Sequence, residues 1–363
     1  MFDVKNNKAI CILPWVHEFK DISGNTGPCC HADSFKDNES IETVRKMMLD
    51  GDKPDICSKC YEREQKTNFS PRIIETNDWL KKFGTPDIEH PKLEYADIRY
   101  NPVCNLKCKM CGPASSTLWQ KEKGITININ KENQNYIHKL DKKVLKKVYL
   151  AGGEPTYIKD YLEFLNALHL VNPYCEVIIN TNLKRLPDGW KQIIKKFENL
   201  TIICSCDAIG ILGTYVRYPV WFSEFDQNVK WVSENANYLQ FHLVASNLTT
   251  HKLHETCTWM IQYSKNIQLS ALDSPQIFSE YAVPSEHREI YVNEIKKLLK
   301  FPVSITSAVG FRSEIQHLIK RYSTAQYDRS LHKKLQAELL QQDSHRSLKL
   351  NEVDPFLSHW IDS

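Results

Sequence analysis

The chain has 363 residues, enough for one large domain or two modest ones, and its 42% hydrophobic and 25% charged residues are ordinary for a soluble globular protein. A net charge of +3 is too small to imply a nucleic-acid partner or an anionic membrane by itself. No apolar run approaches the ~18 residues of a membrane span. The opening Met1-Phe-Asp-Val-Lys lacks a signal peptide's charged-then-apolar design, so a cytoplasmic location is expected.

Residues 1–92 show little periodic structure apart from a helical run near 40–50, and close on Gly84-Thr-Pro86 and His90-Pro91, a boundary signal. They hold five of the 12 cysteines, many for a cytosolic chain, where clustered cysteines point to metal binding or catalysis. Cys11 is followed by 12 residues and Gly24, then by four residues and Cys29, and later by Cys57-Ser-Lys-Cys60. Four thiolates, Cys11, Cys29, Cys57 and Cys60, would fill a 4Fe-4S cluster, and C-x2-C pairs suit a structural zinc equally well. Cys30 competes with Cys29 for the second place; the glycine spacing favours Cys29.

A βα rhythm begins at Leu93. Leu93–Tyr100, Lys146–Ala151, Glu176–Asn180, Thr201–Ser205, Gln240–Ala245 and Ile267–Leu272 read as six strands. Helical patterns lie near 113–121, 159–171, 187–198, 223–236 and 250–262. The Asn- and Lys-rich stretch 124–143 reads as a solvated insertion. Beyond Pro275 the sequence turns helical, near 285–300 and 311–342. Strands alternating with helices argue an α/β fold with a parallel sheet. The expected organisation is an N-terminal cysteine segment over 1–92, a βα domain over 93–275 and a helical extension over 276–363.

The loop after the first of these strands carries Cys104-Asn-Leu-Lys-Cys108-Lys-Met110-Cys111, a C-x3-C-x2-C run. Soft thiolates favour iron–sulfur clusters or zinc, but structural zinc wants four ligands, and three leave one position open. An iron with a free site can bind the amino and carboxylate groups of S-adenosylmethionine (SAM). Gly152-Gly153-Glu154-Pro155 follows the second strand, Asn180-Thr181-Asn182 closes the third, and Ser205-Cys-Asp207 ends the fourth. In βα barrels the reactive face lies at these strand ends. Paired glycines allow close backbone approach, and Glu154 can accept from an ammonium. Alternation puts Ser205 and Asp207 on one face of their strand and Cys204 and Cys206 on the other. Cys175, Cys204, Cys206 and Cys257 read as buried free thiols.

These motifs, in this order, resemble the radical SAM superfamily. The resemblance implies a partial (β/α)6 TIM-like barrel and a 4Fe-4S cluster on Cys104, Cys108 and Cys111. It implies reductive cleavage of SAM to a 5′-deoxyadenosyl radical that abstracts hydrogen from a substrate. Met110 fills the family's apolar position. Gly152, Gly153 and Glu154 match the segment that binds the SAM amino group. Asn180, Thr181 and Asn182 match its strand-end element. Ser205 and Arg217 would hold the SAM carboxylate, with Asp207 beside them or near the ribose and Ser246 near the adenine or ribose. Ser-Cys-Asp-Ala replaces the commoner Ser-Ile-Asp-Gly, which leaves the ribose ligands open.

The N-terminal cysteines resemble the auxiliary-cluster pattern of SPASM and twitch domains, here placed before the barrel as in twitch domain-containing radical SAM proteins. That likeness extends to Pro14-Trp15, Arg45–Gly51, Tyr61-Glu62 and Ser70-Pro71-Arg72. It implies a second 4Fe-4S cluster and an external electron donor such as flavodoxin or ferredoxin. Members with such clusters modify ribosomally made peptides, mature sulfatases, dehydrogenate aminoglycoside precursors or cyclise a nucleotide. A peptide or protein side chain is the favoured substrate; RNA or a small molecule is the enzymatic alternative, with only scattered Lys and Arg to support nucleic acid. A non-catalytic iron–sulfur or zinc interaction protein is the alternative from another class.

Overall fold

The computed structural model describes residues 7–20, 26–33, 35, 40–67, 69–99, 101–129, 135–302, 304–305 and 310–362. Gly24, Tyr100 and residues 130–134 of the expected insertion lie outside them. In chain order the strands are β1 His17–Lys20, β2 Thr26–Gly27, β3 Tyr95–Ile98, β4 Lys147–Leu150, β5 Glu176–Thr181, β6 Leu200–Ser205, β7 Tyr238–Ala245 and β8 Ile267–Ala271. The fold is α/β. The six strands read from the sequence are β3 to β8, and helices Lys159–Val171, Asp188–Lys196, Phe222–Asn235 and Leu253–Met260 fall between them as expected.

The chain forms two compact units, Met1–Val103 with Thr126–Asn180 and Asp188–Leu200, and Cys104–Ile125 with Thr181–Pro187 and Thr201–Ser363. In the first, the strand order is β2-β1-β3-β4-β5, parallel except for the β1–β2 pair. His17 pairs with Tyr95 and Glu18 with Ala96, so this sheet crosses the expected 92/93 boundary. The sequence hides β1 because His-Glu-Phe-Lys holds one apolar residue and so no alternation.

Within the same N-terminal stretch, helices Ser58–Thr67 and Pro71–Phe83 form beside the expected Ile41–Asp50. The Ser70 hydroxyl caps one of them by accepting from the Ile73 N–H (3.2 Å), Pro71 fills its first position, and Gly84 ends it at φ +74°. These elements bury Ile12, Trp15, Val16, Val44, Met48, Ile56 and Trp79 against Tyr95. Full burial of such a side chain contributes roughly 1.5–3 kcal/mol.

In the second unit β6, β7 and β8 run parallel, with Cys204 opposite Phe241 and Phe241 opposite Ile267. Alternation along β6 buries Leu200, Ile202 and Cys204 and leaves Thr201, Ile203 and Ser205 half-buried. The helix expected over 311–342 is two, Phe311–Thr324 and Arg329–Ser344. The restart is set by Asp328, whose carboxylate accepts from the N–H groups of Ser330 (2.8 Å) and Leu331 (3.2 Å). Among the described residues no helix is long and apolar enough to cross a membrane.

Candidate functional site

The three-cysteine loop is held mainly by its own unit. The N–H groups of Lys107 and Lys109 donate to the carbonyls of Tyr218 (2.7 Å) and Val216 (2.8 Å). Helix Thr117–Lys123 backs it: the Trp119 indole donates to the Cys108 carbonyl (2.9 Å), and Thr117 Oγ1 accepts from the Cys104 N–H (3.3 Å). Cys104 and Cys108 are buried and Cys111 is exposed. Met110, between them, is half-buried. The Leu106 N–H points at Cys104 Sγ (3.4 Å), and Asn182 Nδ2 lies 4.0 Å from the same sulfur.

A hydrogen bond with Cys111 pulls the Cys108 thiol down to about 7 against the effect of burial, with Arg217 assisting; the same bond drives Cys111 well up. Arg217, at the end of helix Gly210–Val216, donates to Asp207 Oδ2 (2.7 Å), while Asp207 Oδ1 accepts from the Val244 N–H (3.1 Å). Burial works against the Arg217 charge, and Cys108 and Asp207 outweigh it. Its Nε is buried with no hydrogen-bond partner, a donor aimed at nothing the chain supplies among the described residues.

The remaining motif residues of this unit are half-buried or buried. Ser205 is half-buried, with Cys204 and Cys206 fully buried on the opposite face, as the alternation predicts. Thr181 Oγ1 accepts from the Leu183 N–H (3.1 Å), and Asn182 Oδ1 from the Lys184 N–H (2.9 Å), which sets the turn after β5. Ser246 is buried, its hydroxyl 3.1 Å from that of Thr249.

In the first unit, Gly152 and Gly153 sit at φ +72° and +42°. A Cβ at Gly152 would stand 2.4 Å from the Arg99 carbonyl oxygen, and one at Gly153 2.2 Å from that of Val103. The close approach these glycines permit is therefore to the chain's own strand end. The Glu154 N–H donates to the Val103 carbonyl (2.8 Å). Its buried carboxylate accepts through Oε1 from the Thr156 N–H (3.0 Å) and hydroxyl (2.6 Å). Asn180, on β5, donates to the Tyr149 hydroxyl (3.1 Å).

The N-terminal cysteines converge electrostatically. Burial, and then the charges of Cys57 and Cys60, push the Cys11 thiol up; burial and then Cys11 do the same to Cys29. Burial, followed by Cys29 and Cys60, pushes Cys57 up to about 12. Backbone N–H groups of Leu13, His31 with Ala32, and Arg72 face Cys11, Cys29 and Cys60 respectively. Cys30 keeps other company, beside Arg99, Asp97 and Glu75. Burial raises it to about 12, against Arg99.

Two groups had no local signal in the sequence. Asp97 holds Arg99 through two bonds (2.6 and 2.5 Å) and lies 3.7 Å from His17, whose other ring nitrogen is 3.2 Å from the Pro28 carbonyl. Lys109, inside the cysteine run, is wholly buried against Asp343, 234 residues away. Burial lowers its ammonium to about 8, with Asp343 opposing.

Among the described residues no group of three or more His, Cys, Asp or Glu is placed to hold a metal ion as it stands. The donor chemistry nonetheless fits iron–sulfur ligation: soft thiols, backbone N–H groups directed at sulfur, and at the loop a cation with an unspent donor.

Residues 98–211 match the model of the Radical SAM superfamily. The chain is similar to GTP 3',8-cyclase of Nautilia profundicola, 26% identical over 117 residues, 30% of this chain and 36% of that protein. It is also similar to GTP 3',8-cyclase of Actinobacillus pleuropneumoniae serotype 3, 27% identical over 123 residues, 31% of this chain and 35% of that one. It thus spans about a third of the length of the curated relatives it matches. Among solved structures, Streptococcus suis SuiB bound to precursor peptide SuiA aligns with TM-score 0.43 and 14% identity, covering 74% of this chain and 55% of that one. Native anSMEcpe with bound AdoMet aligns with TM-score 0.41 and 15% identity, over 57% of this chain and 59% of that one. The stretch that matches the Radical SAM superfamily, residues 98–211, is the one that carries Cys104, Cys108, Cys111 and the strand-end motifs Gly152-Gly153-Glu154, Asn180–Asn182 and Ser205–Asp207.

Proposed function

We propose that the protein is a radical SAM enzyme of the twitch/SPASM type, with two 4Fe-4S clusters and a peptide or protein side chain as substrate. The observation that carries the reading is Arg217. Within reach of Cys108 and Cys111, it holds Asp207 with one nitrogen and keeps a second buried donor unspent. Three thiolates would hold three irons, and Arg217 with Ser205 would take the SAM carboxylate at the fourth. When loaded, the cluster supplies the electron that cleaves SAM to the 5′-deoxyadenosyl radical for hydrogen abstraction.

The other roles follow the chain's own contacts. Thr156 fixes one oxygen of Glu154, and by the resemblance of Gly152-Gly153-Glu154 this carboxylate would accept from the SAM ammonium. Asn182 supplies an amide proton toward Cys104, Asn180 and Thr181 shape the strand end, and Ser246, just after β7, would by the resemblance lie near the adenine or ribose. Gly152 and Gly153 set the path of the Glu154 turn against Arg99 and Val103.

Cys11, Cys29, Cys57 and Cys60 would hold the second cluster, with Cys30 left beside Arg99. An external donor such as flavodoxin or ferredoxin would supply electrons. Anaerobically reconstituted protein given SAM and dithionite is expected to form 5′-deoxyadenosine, and Cys108→Ala protein none. No 5′-deoxyadenosine from wild type would make the chain a non-catalytic cluster protein. The likeness to GTP 3',8-cyclases supports a second reading, a purine nucleotide substrate. Conversion of GTP by the reduced enzyme would favour it over a peptide.

A further inference from the structure

We propose that the C-terminal segment around Asp343 and Arg346 is part of the cluster site, a clamp that positions the cysteine loop on both sides of Cys108. The inference rests on the reading of Cys104, Cys108 and Cys111 as cluster ligands. Lys109 stands between the second and third of these cysteines, and none of its side chain is exposed. A buried ammonium is tolerated only where its charge is met. One Asp343 oxygen meets it, while the other accepts from the Tyr215 hydroxyl (3.1 Å) and the Leu350 N–H (3.0 Å), so the carboxylate cannot swing away. The Tyr215 ring lies 4.0 Å from the Lys109 nitrogen, and Gln342 donates to the Lys109 carbonyl (3.4 Å).

On the other side, Arg346 pairs with Glu122 (3.3 Å), which also holds Lys107. Its guanidinium lies 4.9 Å from the Trp119 ring and 5.6 Å from that of Tyr218. Both rings belong to residues that grip the loop directly, Trp119 at the Cys108 carbonyl and Tyr218 at the Lys107 N–H. Glu122, Trp119 and Tyr218 thus each link Arg346 to the cysteine loop. Asp343 and Arg346 are positioning residues: they fix where the thiolates stand and touch no substrate.

The test uses full-length, reconstituted protein with the N-terminal cysteines intact as an internal control. Asp343→Asn is expected to release iron from the SAM-side cluster to a chelator about tenfold faster or more, and to broaden or shift its electron paramagnetic resonance signal. The N-terminal cluster should be unchanged. The paired replacement Lys109→Met with Asp343→Asn removes the buried ammonium and the carboxylate charge together while leaving an amide oxygen to accept from Tyr215 and Leu350, and should restore iron retention. The clamp is overturned if Asp343→Asn matches wild type in retention and spectrum. It is also overturned if both clusters are lost in parallel with a lowered melting temperature, or if the double variant behaves no better than the single. Wild type that builds no cluster on Cys104, Cys108 and Cys111 overturns the radical SAM reading itself, with the N-terminal iron still countable.

Discussion

The two cysteine sets differ in kind. The N-terminal thiols rise from an apolar core: Cys11 packs with Ile12, Trp15, Val44 and Trp79, and burial lifts Cys11, Cys29 and Cys57 alike. Arg72, whose charge favours the Cys60 thiolate, is committed to Glu64 by two bonds (2.9 and 2.6 Å). The second set is smaller by one thiol and stands in polar surroundings, with Arg217 and Asp207 beside Cys108. Four thiols in and beside an apolar core can close around a metal centre and leave no coordination site. Three thiols beside a cation with a spare donor leave both an open iron and a ready anion partner. On the proposed reading, the contrast would separate a centre that stores electrons or staples the fold from one that binds a reactant.

The strongest way to break that contrast is to remove a thiol from each set. Cys104→Ala, Cys108→Ala or Cys111→Ala should each abolish SAM cleavage, because the open iron is lost with the cube. Cys57→Ala or Cys60→Ala should leave measurable uncoupled 5′-deoxyadenosine while stopping substrate conversion. Equal cleavage by Cys57→Ala and Cys104→Ala proteins would erase the distinction.

A smaller effect sharpens the reactant side. A hydrogen bond to a charged group contributes roughly 1.5–3 kcal/mol, so Glu154→Ala or Arg217→Ala should weaken SAM binding about 10- to 100-fold. Cys206→Ser, on the buried face beyond Ser205, should leave it nearly unchanged. Titration of SAM into protein holding both clusters decides it, and a larger loss in Cys206→Ser than in Arg217→Ala would contradict the assigned face.

The mildest test is thiol reactivity in metal-free protein. Only the thiolate attacks an alkylating agent. The hydrogen bond between Cys108 and Cys111 lets that pair give up one proton below the ordinary thiol range, whereas burial pushes Cys57 up to about 12, so the pair should react with iodoacetamide at lower pH than Cys57 does. Mass spectrometry of peptides alkylated between pH 6 and 9 measures the order; Cys57 reacting ahead of the pair would reverse the electrostatics.

What was legible in the sequence follows from range. Runs such as Glu176–Thr181 carry their own alternation, and the cysteine spacings and Gly152-Gly153-Glu154 are local. The helix capped by Ser70-Pro71 was marked in the sequence by a hydroxyl, a proline and Gly84, yet charged residues within it blur its period. The choice between Cys29 and Cys30 depends on which neighbour each thiol meets. Cys29 meets Cys11, and Cys30 meets Arg99, 69 positions further along the chain, which no spacing encodes. The Lys109–Asp343 contact is longer still, and a lysine between two cysteines looks like any solvated lysine until its partner is placed.

The central claim, two separate cysteine sets with one iron–sulfur cube each, is tested most directly by metal analysis. Anaerobically reconstituted wild type should bind about eight irons with matching sulfide, and protein with Cys104, Cys108 and Cys111 all changed to Ala should keep about four. A wild-type preparation that saturates near four irons and retains one zinc would contradict it, and would make the N-terminal set a structural zinc site.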